Sequence, residues 1–186
     1  MIRLAIIGAA GRMGRTLLTC ARADPVFRVV AAVEAAGAPS IGRDAGDVAG
    51  LGELGLRICA DLAAAAAAAD VLVDFSSHSA APHTARAAAA GRRPLVLGTT
   101  GLTSAERRAV TAAARRIAVV MAPNMSLGVN LLGELVRRAA GVLGLDYDVE
   151  IVETHHRFKK DAPSGTALRL GELIAGARGQ TFDKVA

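Results

Sequence analysis

Ile2-Arg3-Leu4-Ala5-Ile6-Ile7-Gly8-Ala9-Ala10-Gly11-Arg12-Met13-Gly14 is a short apolar run, broken only by Arg3, that passes directly into three glycines at GxxGxxG spacing. Met13, Leu17, Leu18 and Ala21 then continue at helical spacing. Strand, glycine turn and helix in that order form the context that lifts a glycine motif above a chance match. Gly8 permits the tight turn, Gly11 lets backbone approach a pyrophosphate, and Gly14 allows helix and strand to touch. Ala10 stands where the commoner fingerprint has its second glycine. Phe27 to Val33 reads as the next strand and ends at Glu34, 20 residues after Gly14. A carboxylate there is placed to accept hydrogen bonds from adenosine ribose hydroxyls. Alone, Glu34 also reads as an exposed loop acid. Together with the glycines it points to dinucleotide binding.

The alternation continues outward from this stretch. Val71 to Phe75, Pro94 to Leu97 and Ile117 to Met121 read as strands. Leu62 to Ala69, Ala80 to Ala90 and Ser104 to Arg115 read as helices, the first because alanine is the best helix former. Glycines at 37, 42, 46, 50, 52 and 55 are too many for regular structure and mark residues 35–55 as a loop region. A repeated β-α order predicts an α/β fold, a doubly wound parallel, Rossmann-like sheet with right-handed crossovers, over residues 1–125. Ligands of such sheets sit at the carboxyl ends of the strands. Gly8, Glu34, Ser76, Gly98 and Ala122 all follow strands.

Residues 126–186 read as a partial α+β domain. Leu127, Leu131, Leu132, Leu135, Val136 and Ala139 mark an amphipathic helix, and Tyr147 to Thr154 a strand. Then comes His155-His156-Arg157-Phe158-Lys159-Lys160-Asp161-Ala162-Pro163-Ser164-Gly165-Thr166-Ala167. Ser164 reads as the N-cap of a helix whose apolar face is Ala167, Leu170, Gly171, Ile174 and Ala175. The amides of Gly165 and Thr166 fall in its first turn, where unpartnered N–H groups favour an anion. A receptor for a small anionic molecule fits this segment; so does a solvated basic loop ahead of an ordinary helix. A lone strand at Tyr147 to Thr154 has no partner for its backbone groups, and Gln180 to Ala186 brings no closing element. The chain is therefore expected to be C-terminally incomplete, with an unpaired strand edge that promotes association.

Composition excludes several function classes. Apolar residues at 52% suffice for a globular core, yet no run reaches the ~20 needed to span a membrane. No basic segment leads into an apolar stretch at the N-terminus, so no signal peptide is read and the cytoplasm is expected. Cys20 and Cys59 lack CxxC spacing and read as free thiols of a reducing compartment. A net charge of +5 suggests nucleic acid, but the cations are scattered arginines, and one tyrosine, four phenylalanines and no tryptophan offer little to stack on bases. A positive field that draws in anionic small molecules is the simpler account. His155 and His156 have no further His/Cys cluster or HExxH helix beside them, so no metal is expected. His78 and His83 read as surface histidines.

Four segments, in order, resemble the dihydrodipicolinate reductase (4-hydroxy-tetrahydrodipicolinate reductase) family. They are Gly8 to Gly14, Gly98-Thr99-Thr100-Gly101, Ala122-Pro123-Asn124-Met125-Ser126-Leu127-Gly128-Val129-Asn130, and Glu153 to Ala167. The resemblance covers the whole chain, and its last segment is the most specific. It implies NADH or NADPH bound by Gly8, Ala9, Ala10, Gly11, Arg12, Met13, Glu34, Gly98, Thr99, Thr100, Ala122, Pro123, Asn124 and Met125. It implies His155 as proton donor and Lys159 as second catalytic residue. His156, Gly165 and Thr166 would hold a dianionic cyclic substrate of lysine and diaminopimelate biosynthesis. Asn124 is as readily a turn residue after Pro123. Family members continue beyond the point matching residue 186, and a homotetramer is implied only where those further strands exist. NADH is expected to bind at least as well as NADPH. Two rivals remain: a related nicotinamide dehydrogenase, such as one acting on amino acids, and a nucleotide-binding chain without turnover.

Overall fold

The computed structural model describes residues 1–157, 159 and 162–185. Phe158, Lys160 and Asp161 of the basic segment lie outside them. The chain divides into two compact units, Met1–Ala122 and Pro123–Ala186; the sequence reading had drawn the line between 125 and 126.

The first unit is built on six strands: β1 (Ile2–Ile7), β2 (Phe27–Val33), β3 (Ile58–Cys59), β4 (Val71–Asp74), β5 (Leu95–Leu97) and β6 (Val119–Met121). Their order across the sheet is β3-β2-β1-β4-β5-β6, and every neighbouring pair is parallel. This is the doubly wound arrangement that the β-α alternation predicts. Side chains alternate across the sheet. Ile6, Ala32 and Ile58 pack with Leu18 of α1 (Arg12–Ala23) and Val48 of α2 (Ala45–Ala49). Ala5, Ile7, Leu72 and Leu97 pack with α3 (Leu62–Ala68), α4 (Ala81–Ala90) and α5 (Ser104–Ala114). Both faces are covered, which is why the central strands read as continuous apolar runs. Ala81, Ala85 and Ala88 are fully buried. Alanine loses no rotamer freedom on burial, so this small-residue face forms at low entropic cost.

Two short elements, α2 and β3, were hidden in and after the glycine-rich stretch. Asp44 explains them. Its Oδ1 accepts from the N–H groups of Gly46, Asp47 and Leu54, and its Oδ2 from that of Leu56. One carboxylate thus caps α2 and folds the following loop back to β3. These bonds, the one from Leu54 foremost, hold the Asp44 carboxyl below its ordinary range.

The second unit contains α6 (Leu127–Leu143), α7 (Gly165–Ala177) and a 3₁₀ turn at Phe182–Lys184. The strand expected over Tyr147 to Thr154 is absent: residues 148–156 belong to neither helix nor strand. A strand exists only as one side of a ladder, and none of the described residues supplies the other side. The leucine stripe of α6 also behaves unexpectedly, with Leu127, Leu131 and Leu135 exposed. Gly133 and Ala140 are the buried positions instead. A Cβ at Gly133 would stand 3.0 Å from Leu173 Cδ1, so small residues let α6 approach α7.

Candidate active site

The carboxyl ends of all six strands lie level. Cys59, Val33, Ile7, Asp74, Leu97 and Met121 are register partners in succession across the sheet. The residue after each strand but β3 is tied to its neighbour. Glu34 N–H donates to Cys59 O at 2.9 Å, Gly8 N–H to Val33 O at 2.9 Å, Phe75 N–H to Ile7 O at 3.3 Å, Gly98 N–H to Asp74 O at 2.9 Å and Ala122 N–H to Leu97 O at 3.3 Å. The sheet thus brings Gly8 to Met13, Glu34, Gly98 to Thr100 and Ala122 onto one edge. The strand order reverses between β1 and β4, the usual position of a nucleotide crevice.

At the centre of this edge Gly8 has φ +79°, a conformation that L side chains rarely adopt. A Cβ on Gly14 would lie 2.6 Å from Ala9 Cα and nearer still to Gly8 O, so α1 can meet the turn only through a glycine. Gly8 and Ala9 are buried, Ala10 is half-buried, and Gly11, Arg12 and Met13 are exposed. Glu34 Oε1 accepts from Ala10 N–H at 2.8 Å, which fixes the acid against the glycine turn. Helix α1 starts at Gly11 with no side-chain cap and no acid in its first turn. By contrast, Asp44, Asp61, Thr103, Ser126 and Ser164 cap α2, α3, α5, α6 and α7.

Asp74, Phe75 and Ser76 were not assigned roles from sequence. Asp74 is fully buried. Its Oδ1 accepts from Ser76 N–H at 2.8 Å, from the Ser76 hydroxyl at 2.6 Å and from the Thr99 hydroxyl at 3.4 Å. It therefore joins the ends of β4 and β5. The Phe75 ring lies against Gly98, where a Cβ would come within 2.6 Å of Phe75 Cδ1. An acid closing a buried strand just ahead of Phe-Ser was the available signal. His78 and His83 are exposed, and His78 Nδ1 meets Glu106 at 3.0 Å.

The remaining candidates lie in the second unit. Asn124 Oδ1 accepts from Ser126 N–H at 2.8 Å, and its Nδ2 donates to Thr166 Oγ1 at 3.3 Å. It closes the turn into α6 and reaches the first turn of α7. Pro123 flanks Gly165, whose Cβ would lie 3.8 Å from the proline's. Ser164 caps α7 through a bond from Ala167 N–H at 3.1 Å. His155 Nδ1 stands 3.7 Å from Glu153 Oε2. His156 and Met125 are exposed and Lys159 is half-buried. A groove of ≈ 620 Å³ runs beside α7, lined by apolar groups such as Ile151, Leu168, Ile174 and Phe182. Glu153, Arg178 and Gln180 are its polar lining residues. Among the described residues no group of three or more His, Cys, Asp or Glu side chains is placed to hold a metal ion. Nor is any helix among them long and apolar enough to cross a membrane.

A parallel sheet of this order, with its glycine turn and second-strand acid, defines a Rossmann-like oxidoreductase. Residues 2–125 match the family model for the dihydrodipicolinate reductase N-terminus, and residues 128–185 that for its C-terminus. The chain belongs to the dihydrodipicolinate reductase family. It is 53% identical over 180 residues to a 4-hydroxy-tetrahydrodipicolinate reductase of Anaeromyxobacter dehalogenans (strain 2CP-1 / ATCC BAA-258), covering 97% of this chain and 67% of the relative. It is 50% identical over 183 residues to that of Halorhodospira halophila (strain DSM 244 / SL1), covering 98% and 68%. The chain thus spans about two thirds of the length of these relatives. Among solved structures it resembles a dipicolinate-bound dihydrodipicolinate reductase from Paenisporosarcina sp. TG-14, with TM-score 0.74 and 26% identity, covering 96% of this chain and 67% of that one.

The cofactor of this family is a pyridine nucleotide, and the residues present fit it. The uncapped α1 N-terminus, the glycine-only contact at Gly14 and a carboxylate locked beside the turn are the features that pyrophosphate and ribose require.

Proposed function

We propose that this chain reduces 4-hydroxy-tetrahydrodipicolinate to tetrahydrodipicolinate in lysine and diaminopimelate biosynthesis, in the cytoplasm, through the residues assigned as follows. Gly8 to Met13 hold the nucleotide pyrophosphate, and Glu34 accepts from the adenosine ribose. Gly98, Thr99, Thr100, Ala122, Pro123, Asn124 and Met125 line the path toward the nicotinamide. When bound, the reduced nicotinamide supplies the hydride. Electrons arriving on the acceptor ring leave negative charge there, which a proton donor and cations must meet. His155 delivers the proton and Lys159 supplies the second catalytic group. His156 and the first-turn amides of Gly165 and Thr166 hold the substrate carboxylates. The net charge of +5 favours encounter with both anions. The observation that carries this reading is the single sheet edge that gathers the glycine turn, Glu34 and Gly98 to Thr100 in a chain of this family.

In a chain carrying His155→Ala, turnover is expected to fall about 10²–10⁴-fold, the usual contribution of a positioned acid. NADH affinity is expected to stay the same, because the glycine turn belongs to the other unit. Wild-type turnover would remove His155 from the mechanism. Lys159→Ala is expected to damage catalysis; a change confined to the salt dependence of binding would make it a steering charge. A second reading, nucleotide binding without turnover, is favoured by the lack of any ladder over residues 148–156. NADH binding with no substrate reduction would select it. Assembly into a homotetramer belongs to the first reading only where the further C-terminal strands of the family are present, and sedimentation velocity tests it.

A further inference from the structure

The roles above use His155 and the first turn of α7 but leave out the side chain that joins them. Glu153 opens the basic loop with its side chain 27% exposed. Its Oε1 accepts from Ser164 N–H at 2.8 Å, and its Oε2 accepts from the Ser164 hydroxyl. That hydroxyl oxygen in turn accepts from Ala167 N–H, and Ser164 is only 5% exposed. The same Oε2 stands 3.7 Å from Nδ1 of His155. An ordinary N-cap needs only its own oxygen. Here the cap hydroxyl and the cap amide both donate to one carboxylate 11 residues earlier. Residues 148–156 have no helix or strand to fix them, so this side-chain clasp does what a backbone ladder does elsewhere. The Ser164 hydroxyl and then its N–H hold the Glu153 carboxyl below its usual range, with His155 and Lys159 adding attraction.

We propose that Glu153 is a positioning residue of this reductase: its carboxylate clasps the N-cap of α7 and meets the Nδ1 side of His155, setting the proton donor against the amides that receive the substrate carboxylates. The proposal rests on reading His155 as that donor. With Nδ1 facing Glu153, Nε2 is the nitrogen turned to the substrate. Glutamine in place of Glu153 keeps one acceptor for Ser164 N–H, but its amide nitrogen cannot accept from the hydroxyl or from a protonated Nδ1.

The test compares Glu153→Gln, Glu153→Asp and His155→Ala in the full chain. Glu153→Gln is expected to lower kcat about tenfold or more, with the NADH Kd unchanged. The Nδ1–H to Nε2–H tautomer ratio of His155, read from imidazole ¹⁵N shifts, is expected to change with it. Glu153→Asp keeps the charge and is expected to recover part of kcat. Should Glu153→Gln not fold, Glu153→Ala carries the same comparison, and kcat within about twofold of wild type then counts against the clasp. A folded Glu153→Gln protein with kcat within about twofold of wild type and an unchanged tautomer ratio overturns the proposal. If His155→Ala itself keeps wild-type turnover, the reading of His155 fails instead, whatever the Glu153 variants do.

Discussion

Glu34 and Ala10, 24 residues apart in sequence, are joined by a hydrogen bond of 2.8 Å from the Ala10 amide to the Glu34 carboxylate. The acid that would receive the ribose is thereby held against the turn that would receive the pyrophosphate. A carboxylate in that place repels a 2′-phosphate unless a cation offsets it. Ala35, Ala36, Gly37 and Ala38 carry no charge; the exposed cations at the start of α1 are Arg12 and Arg15, and Arg15 Nε already donates to Ala10 O at 2.8 Å. NADH is therefore expected to bind at least as tightly as NADPH. Ala35→Arg is expected to move the ratio toward NADPH by roughly tenfold, on the order of one charge-assisted hydrogen bond. Titrations of both cofactors into both proteins at one ionic strength check this. A wild type that strongly prefers NADPH would place Glu34 away from the ribose.

Gly14→Ala sets helix propensity against close contact. Alanine is better than glycine in a helix by roughly 1 kcal/mol. The added methyl would meet backbone of Gly8 and Ala9, which the sheet holds and which cannot rotate aside. Overpacking of this kind typically costs about 1–3 kcal/mol, occasionally more, so the variant is expected to lose stability on balance. Calorimetric melting should show a lower Tm, and NADH titration a weaker complex. An unchanged Tm would mean that α1 can shift without cost.

Asp74→Ala removes the acceptor shared by Ser76 and Thr99. Leaving a buried donor without a partner costs roughly 1–3 kcal/mol. Urea melts are expected to show a loss of that order, with weaker NADH binding as the ends of β4 and β5 come apart. Asp74→Asn retains one acceptor oxygen and is expected to fall between. Equal NADH affinity in all three proteins would confine Asp74 to stability.

The Arg3 guanidinium donates to Asp70 at 2.7 Å and holds its carboxyl at about 2, below the ordinary 3.8. A depressed native pKa adds stability that is fully present above the unfolded value and fades as pH falls toward the native one. The contribution is therefore expected at pH above 3.8 and to disappear as pH approaches about 2. Both side chains are largely solvated, so the effect is small. Acid melts of wild type and Asp70→Asn should converge near the low end of that window. A constant gap from neutral to low pH would assign the difference to something other than this carboxylate's charge.

Strands that pack on both faces were readable almost residue by residue. Ile2–Ile7 and Phe27–Val33 form as the apolar runs indicated, because burial on both faces leaves a continuous signal. Ser104 opens α5 as its sequence indicated, behind the cap Thr103, and Ser164 caps α7, both for local reasons. α2 and β3 escaped notice because five and two residues carry no period, and a distant set of amides on Asp44 forms them. Tyr147 to Thr154 misled in the opposite way. Its alternation of apolar residues is a true strand pattern, but a strand needs a neighbour that local sequence does not reveal. In the site, the glycine turn and Glu34 were legible because their spacing is fixed by one β-α-β unit. Glu153 and Asp74 were not, since each acts through partners that only the fold brings near.

The sheet terminates on β3 and β6, of two and three residues. On the β6 side a foreign strand would find only three residues to pair with, whereas β3 covers only Ala32 and Val33 of β2 and leaves the outer edge of residues 27–31 open. The six-residue β1, the segment most apt to recruit another chain into cross-β stacking, lies between β2 and β4 with both of its edges already taken. The strand order that assembles the nucleotide edge thus also shelters β1, and leaves the outer edge of β2 as the place where strand addition could begin.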